Sequence, residues 1–313
     1  MYCCPAVGSW RSRTVVNPRA TSVAWPKSAL RLSQTLHDRR VRVIVTGGNS
    51  GVGKATAASL SATGHSVMIA CRTIPKAEQA AATMTGDVEI AHLDLADLAS
   101  VRKFADSVDS VDVLINNAGV LGLPLTRTAD GFEAHMGTNY LGHFALTCLL
   151  GDRIKDRVVS VSSSAYALSR LHIDDLNWHH RKYSKWAAYG ESKLAVMLFS
   201  GELARRGVRT YMTDPGATDT DITRDTTGVL PWVREHTIKR FPAHSAATGA
   251  RSTIQAVTTD LPSGTYLAPR FSQWGKPKVT RLRKKARDAA MAARLWDVSV
   301  ELTGSDWQNS DAG

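Results

Sequence analysis

The chain of 313 residues reads as an α/β protein: a single doubly wound parallel sheet of about seven strands with helices on both faces. Three observations predict this. Strand-like and helix-like stretches alternate from residue 41 onward. The strand-like runs are rich in Val and Ile and nearly continuous in apolar residues, as in strands covered on both faces. A glycine-rich turn, Thr46-Gly47-Gly48-Asn49-Ser50-Gly51-Val52-Gly53, joins the first strand to the first helix.

The elements follow in order. Residues 1–40 show no periodicity and are rich in Ser, Thr, Arg and Pro. They read as a basic extension: a transit-like segment, a disordered arm or an early start all fit this composition. Strands are expected at 41–46, 66–71, 88–93, 111–115, 157–162 and 208–213, with a short one at 264–268. Helices are expected at 52–63, 75–84, 97–107, 130–150, 187–206, 245–258 and 281–303. Gly64-His65 and Gly207 stop helices just before the next strand, where glycine relieves the left-handed turn. No stretch from 41 to 304 looks like a linker, so this span reads as one domain followed by a tail at 305–313.

Composition narrows the class. An apolar fraction of 43% and a charged fraction of 21% are those of an ordinary globular protein. No apolar run approaches the roughly 20 residues that cross a bilayer; Phe144 to Leu150 is broken by Gly151-Asp152. No integral membrane segment is expected, and the location predicted is cytoplasmic, with organellar targeting by residues 1–40 as the alternative. The net charge of +11 sits in two segments. Residues 1–40 carry seven basic residues against Asp38, and residues 270–288 carry eight against Asp288. Neither interleaves aromatics with its basic residues as a single-strand binder does, so solvated faces are expected rather than a nucleic-acid site. The four cysteines lack metal-ligand spacing, and no metal is expected. Cys71 and Cys148 fall in apolar runs and read as core thiols.

The glycine turn has a physical task. Between a strand and a helix N-terminus, small residues let the backbone approach a pyrophosphate, and the free amides of the helix face it. The spacing is Gly-x-x-x-Gly-x-Gly, and the residues expected to hold a dinucleotide in this Rossmann-type arrangement are Gly47, Asn49, Ser50, Gly51, Val52 and Gly53. An NAD site would carry an acid at the end of the second strand. Here the sequence reads Ala70-Cys71-Arg72-Thr73, and the next acid is Glu78 inside a helix. Arg72 can fork onto a 2′-phosphate that a carboxylate would repel, with Lys54 and Lys76 adding charge, so NADP(H) is expected. Asp94 and Leu95 end the third strand, and Asn117, Ala118 and Gly119 follow the fourth, at the ligand-binding edge.

Far downstream, Tyr189 and Lys193 stand four residues apart on a strongly apolar helical stretch, and so on one face. A free phenol has a pKa of roughly 10, and a nearby cation lowers it toward working pH, which suits a tyrosine that exchanges a proton with an alkoxide. Ser162-Ser163-Ser164 ends the fifth strand, where a hydroxyl can donate to a carbonyl. Asn139 lies within an apolar helix, where an amide marks either a satisfied kink or a hold on a water next to Lys193.

These residues, in this order, resemble the short-chain dehydrogenase/reductase superfamily over about residues 41–304. Within it the chain looks most like the retinol-dehydrogenase-type members. The stretches that carry this are Thr46 to Lys54, Ala70-Cys71-Arg72, Asp130-Gly131-Phe132-Glu133, Asn139 to Phe144, Ser192-Lys193-Leu194-Ala195 and Leu295 to Gly304. The resemblance implies a catalytic tetrad of Asn139, Ser163, Tyr189 and Lys193, with Ser163 the serine of the pair that takes part. It implies that Tyr189 and Lys193 also contact the cofactor, and that Pro215, Gly216 and Thr220 frame the nicotinamide. Residues 221–241 would form a lid with an apolar inner face. A homodimer or homotetramer through the helices holding Asn139 and Tyr189 is implied as well. Asp214 departs from the family pattern, which has an apolar residue or His before Pro-Gly. The function expected is therefore NADP(H)-dependent interconversion of a hydrophobic ketone or aldehyde and its alcohol. A non-catalytic dinucleotide-binding regulator or scaffold on the same fold is the alternative.

Overall fold

A computed structural model of the protein describes residues 40–218, 244–271 and 273–307. Thr220 and the lid expected at 221–241 lie outside the described residues, as do residues 1–39 of the extension.

Eight strands form one sheet: β1 (Arg42–Thr46), β2 (Ser66–Cys71), β3 (Val88–His92), β4 (Val111–Asn116), β5 (Ile154–Val161), β6 (Thr210–Thr213), β7 (Thr265–Pro269) and β8 (Pro277–Val279). Their spatial order is β3-β2-β1-β4-β5-β6-β7-β8. All pairs are parallel except β7 with β8. The order reverses between β1 and β4, so a crevice opens beyond their C-terminal ends, where open α/β sheets bind ligands. The helices are α1 (Gly51–Ala62), α2 (Ile74–Ala81), α3 (Leu98–Asp106), α4 (Gly142–Leu150), α5 (Lys185–Arg205), α6 (Ala246–Thr258) and α7 (Ala289–Thr303).

Alternation along each strand splits the core in two. Val43 and Val45 of β1 face one layer with Ile115, Val159 and Tyr211, against Ala57 and Leu60 of α1 and Ala256 and Val257 of α6. Ile44 faces the other with Leu114, Val158 and Met212, under α3, α4, α5 and α7. There Phe144, Phe199 and Trp296 pack with centroids 5.1 to 5.8 Å apart. Burying each of these rings contributes roughly 2–3 kcal/mol. Cys71 and Cys148 are free and buried, one in each layer.

Three expectations change. The sheet has eight strands, because Pro277–Val279 adds an antiparallel edge to β7; it is short and mostly exposed, so it carries no apolar signature. The helix expected at 281–303 is a 3-10 turn at Lys284–Arg287 followed by α7. Asp288 separates them, since its carboxylate caps α7 by accepting from Met291 N at 3.0 Å. The helix expected at 130–150 begins near residue 134, and Met136–Leu141 within it is a π turn.

Candidate active site

The C-terminal ends of the parallel strands surround a cavity of about 540 Å³. Gly47, Asn49, Ser50, Gly51, Val52, Gly53, Arg72, Asp94, Leu95, Asn117, Ala118, Gly119, Ser163, Tyr189, Lys193, Pro215 and Gly216 all line it. Asn139 stands just behind that lining, and Lys54 is not part of it.

The glycine turn is built to be narrow. Gly47 has φ +65°, and a Cβ there would meet Ala118 Cα at 3.0 Å. A Cβ on Gly53 would meet Gly47 O at 2.4 Å and Asn117 Nδ2 at 2.3 Å. Any larger residue would push the first turn of α1 away from the β4 loop. Thr46 ties the two together: Asn117 N and Ala118 N donate to its hydroxyl oxygen at 2.9 and 3.0 Å, and Asn117 Nδ2 donates to its carbonyl at 2.8 Å. Ser50 makes no side-chain cap among the described residues, and the first turn of α1 holds no acid. Its amides are left for an anion. These cradle glycines and open amides fit a dinucleotide diphosphate. At the rim, Arg72 and Lys76 are exposed, and Arg72 has no ion-pair partner among the described residues.

The tetrad residues come together on the opposite wall. Ser163 follows β5 and accepts from Ala165 N at 3.3 Å, and its side chain lies near enough to the Tyr189 hydroxyl to favour the phenolate. Neighbouring Ser162 points elsewhere, donating to Lys193 O at 3.1 Å inside the protein. Lys193 Nζ donates to Val161 O at 3.0 Å and lies 5.8 Å from the centre of the Tyr189 ring. Asn139 Oδ1 accepts from Val120 N at 2.7 Å; Nδ2 donates to Val120 O and Ser192 Oγ, both at 3.0 Å. A Cβ on Gly119 would lie 3.2 Å from Asn139 Oδ1 and 3.6 Å from Lys193 Nζ, so Gly119 is where these two side chains meet.

Electrostatics departs from expectation at Tyr189. Burial pushes the phenol up to about 12; the nearby Ser163 hydroxyl pulls it back, and the Asp214 carboxylate adds to the rise. Desolvation of the phenolate outweighs the Ser163 hydroxyl, so the phenol keeps its proton. Lys193 is lowered to about 8 by burial, against which Asp214 acts. Asp214 is itself 2% exposed and raised by burial. Gly216 N donates to its Oδ1 at 2.8 Å and the Tyr266 hydroxyl to its Oδ2 at 3.1 Å.

Two parts of the site escape sequence reasoning. Val120, Leu121 and Leu123 form an apolar stretch of the lining; the run Val120-Leu121-Gly122-Leu123 after the β4 turn was the available signal. Thr46 reads as a strand terminus, and only the fold reveals the three bonds it accepts.

Comparison with known proteins agrees with this fold. The family model described as short chain dehydrogenase matches residues 41–228. Human "Retinol dehydrogenase 12" is 38% identical over 284 residues, covering 85% of this chain and 87% of that protein. Human "Retinol dehydrogenase 13" is 39% identical over 292 residues, covering 84% of each. A solved structure of an uncharacterized protein from Mycobacterium Paratuberculosis superposes with a TM-score of 0.75 at 43% identity, over 86% of this chain and 95% of that one. A short chain dehydrogenase from Burkholderia cenocepacia J2315, solved in complex with NADP, shares the fold at a TM-score of 0.57 and 23% identity, over 73% of this chain and 95% of that one. With the glycine cradle, the Ser-Tyr-Lys wall and these relatives together, the chain belongs to the short-chain dehydrogenases, among their retinol-dehydrogenase-like members.

Proposed function

We propose that the protein is an NADP(H)-dependent oxidoreductase that interconverts a hydrophobic ketone or aldehyde and its alcohol. The observation that carries this reading is the Ser163–Tyr189 hydroxyl pair, with Lys193 beside the ring, on a cavity whose other wall is a dinucleotide cradle. Gly47 to Gly53 would hold the diphosphate, and Arg72 with Lys76 would take the 2′-phosphate. When bound, the dinucleotide supplies or accepts the hydride.

The chain's own residues handle the proton. Ser163 donates to the substrate oxygen and orients it next to Tyr189. Tyr189, protonated across the working range, gives its proton to that oxygen in the reducing direction and takes it back in the other. Lys193 stabilises the phenolate that remains and is fixed by Val161 O. Asn139 holds the Gly119–Val120 turn against Lys193. Val120, Leu121 and Leu123 exclude water and favour an apolar substrate; the human relatives, being retinol dehydrogenases by name, point the same way.

The test is NADPH oxidation across a panel of apolar aldehydes and ketones, with NADH in parallel. Tyr189→Phe should lower kcat by about 100-fold or more while NADPH binding persists. A Tyr189→Phe protein with full turnover would sink the reading.

A further inference from the structure

A second buried polar cluster adjoins the catalytic helix, and the chemistry above gives it no task. Glu133 and His135 are fully buried at the start of the helical stretch that leads to Asn139. His135 N and Met136 N donate to the two Glu133 oxygens at 3.1 and 2.8 Å. The His135 Nδ1 and the Tyr183 hydroxyl reach Glu133 Oε1 at 2.7 and 2.9 Å. Burial pushes the Glu133 carboxyl up, but the bonds from His135 and the two amides outweigh it and hold the group below its usual value. Burial and Glu133 together push the Tyr183 phenol up, so it stays a donor.

The cluster points toward the cavity. Leu123 N donates to His135 Nε2 at 3.3 Å; that nitrogen is therefore unprotonated, and Nδ1–H faces the carboxylate. The imidazole is pinned at both nitrogens. Its ring stands against Tyr189, with centroids 6.3 Å apart at 72°. The Tyr183 hydroxyl also lies 3.2 Å from Leu123 O. Tyr183 packs edge-on against Trp178 at 5.3 Å, and Arg181 covers the Trp178 face at 3.8 Å. Trp178 has φ +55°, a left-handed conformation that a tryptophan keeps only when its surroundings impose it. Arg181 in turn donates to Glu191 on α5 at 2.9 Å, two residues past Tyr189.

Capping the helix start needs only Glu133 and its two amides. The bond to Leu123 and the ring contact with Tyr189 exceed that need. We infer that Glu133, His135 and Tyr183 are positioning residues that lock the Leu123 wall and the Tyr189 ring in one register, and so set the width of carbonyl substrate the site accepts. This rests on the carbonyl-reduction reading above.

Two variants test it. His135→Phe keeps a ring beside Tyr189 and loses both polar bonds. Tyr183→Phe keeps the ring on Trp178 and loses the hydroxyl. Each is compared with the full chain for kcat and KM on slim and bulky apolar aldehydes, for NADPH affinity by fluorescence, and for hydrogen exchange of residues 119–125. His135→Phe should raise KM for the bulky substrate relative to the slim one by about 10-fold, the share of the lost bond that holds the Leu123 wall. It should also speed exchange at 119–125 and leave NADPH affinity unchanged. Tyr183→Phe should move both readouts the same way by about 3-fold, and it decides the matter if His135→Phe does not fold. Equal losses on every substrate, or unchanged selectivity, overturn the inference. If the unaltered protein reduces no carbonyl, the functional reading fails separately; the exchange rate at 119–125 still decides whether the cluster anchors the wall, and an unchanged rate overturns it.

Discussion

Asp214 is a buried carboxylate whose charge reaches both Tyr189 and Lys193. Its carboxylate raises Lys193 and Tyr189 alike, and Gly216 N and the Tyr266 hydroxyl both donate to it. With Lys193 lowered to about 8, the ammonium is lost as pH rises through about 8 while Tyr189, near 12, remains a phenol. The alkaline limb of the reductive kcat/KM profile therefore belongs to Lys193 rather than to Tyr189. Asp214→Asn keeps the size and removes the anion, so Lys193 falls further and the limb should move to lower pH. A limb that stays in place, read from kcat/KM between neutral and alkaline pH, would show that Asp214 acts only as a staple for the Pro215-Gly216 turn. The sequence marks Asp214 as a departure from the family pattern; the sign of its effect follows only from its burial among Lys193, Tyr189 and Tyr266.

At the scale of elements, the π turn at Met136–Leu141 joins the sheet to the chemistry through His143. The His143 Nδ1–H donates to Asn139 O at 3.1 Å, and the Thr46 hydroxyl lies 2.9 Å from Nε2. One helix thus connects the end of β1 to the bulge that carries Asn139. Burial lowers His143 to about 4, with the nearby Lys193 adding to the shift against the Asn139 bond. Its folded value lies below its usual 6.5, so the stability it contributes is full above about 6.5 and is lost as pH falls through about 4. This amounts to about 3 kcal/mol at most. His143→Gln should flatten that part of the stability curve, checked by urea unfolding at several values from neutral to acid pH; an unaltered slope would rule His143 out as its source. Elements of this kind were unevenly legible. Val and Ile runs announced every long strand, because burial on both faces demands them. The apolar stretch at 130–150 announced a helix, but not the π turn, within which Asn139 bonds to Val120 and Ser192, neither of them a neighbour in sequence. The Glu133 cluster was illegible for the same reason: its partners Leu123 and Tyr183 are distant in sequence, and neither forms part of a motif.

At the scale of the molecule, one sheet edge gathers loops from β1 through β6 around one cavity, and this convergence was readable once alternation implied a doubly wound parallel sheet. The charge layout was readable too: the eight basic residues at 270–288 run along the β8 edge and the turn before α7, largely exposed. Arg72 is separate from that stretch, at the cavity rim beside Lys76. Whole-chain stability can therefore report cofactor choice without any substrate. A ligand that binds only the folded chain stabilises it by about 2.7 kcal/mol at a hundredfold excess over Kd, which raises Tm. Removing one charge-assisted bond costs about 1.5–3 kcal/mol, or at least tenfold in Kd. NADP+ should thus raise Tm more than NAD+ at equal concentration, and Arg72→Ala should bring the NADP+ shift down toward that of NAD+ while leaving the NAD+ shift and the unliganded Tm unchanged. Equal shifts from the two dinucleotides in the unaltered protein would remove Arg72 from the account of cofactor preference and leave binding to the glycine cradle and the rest of the cavity lining, common to both.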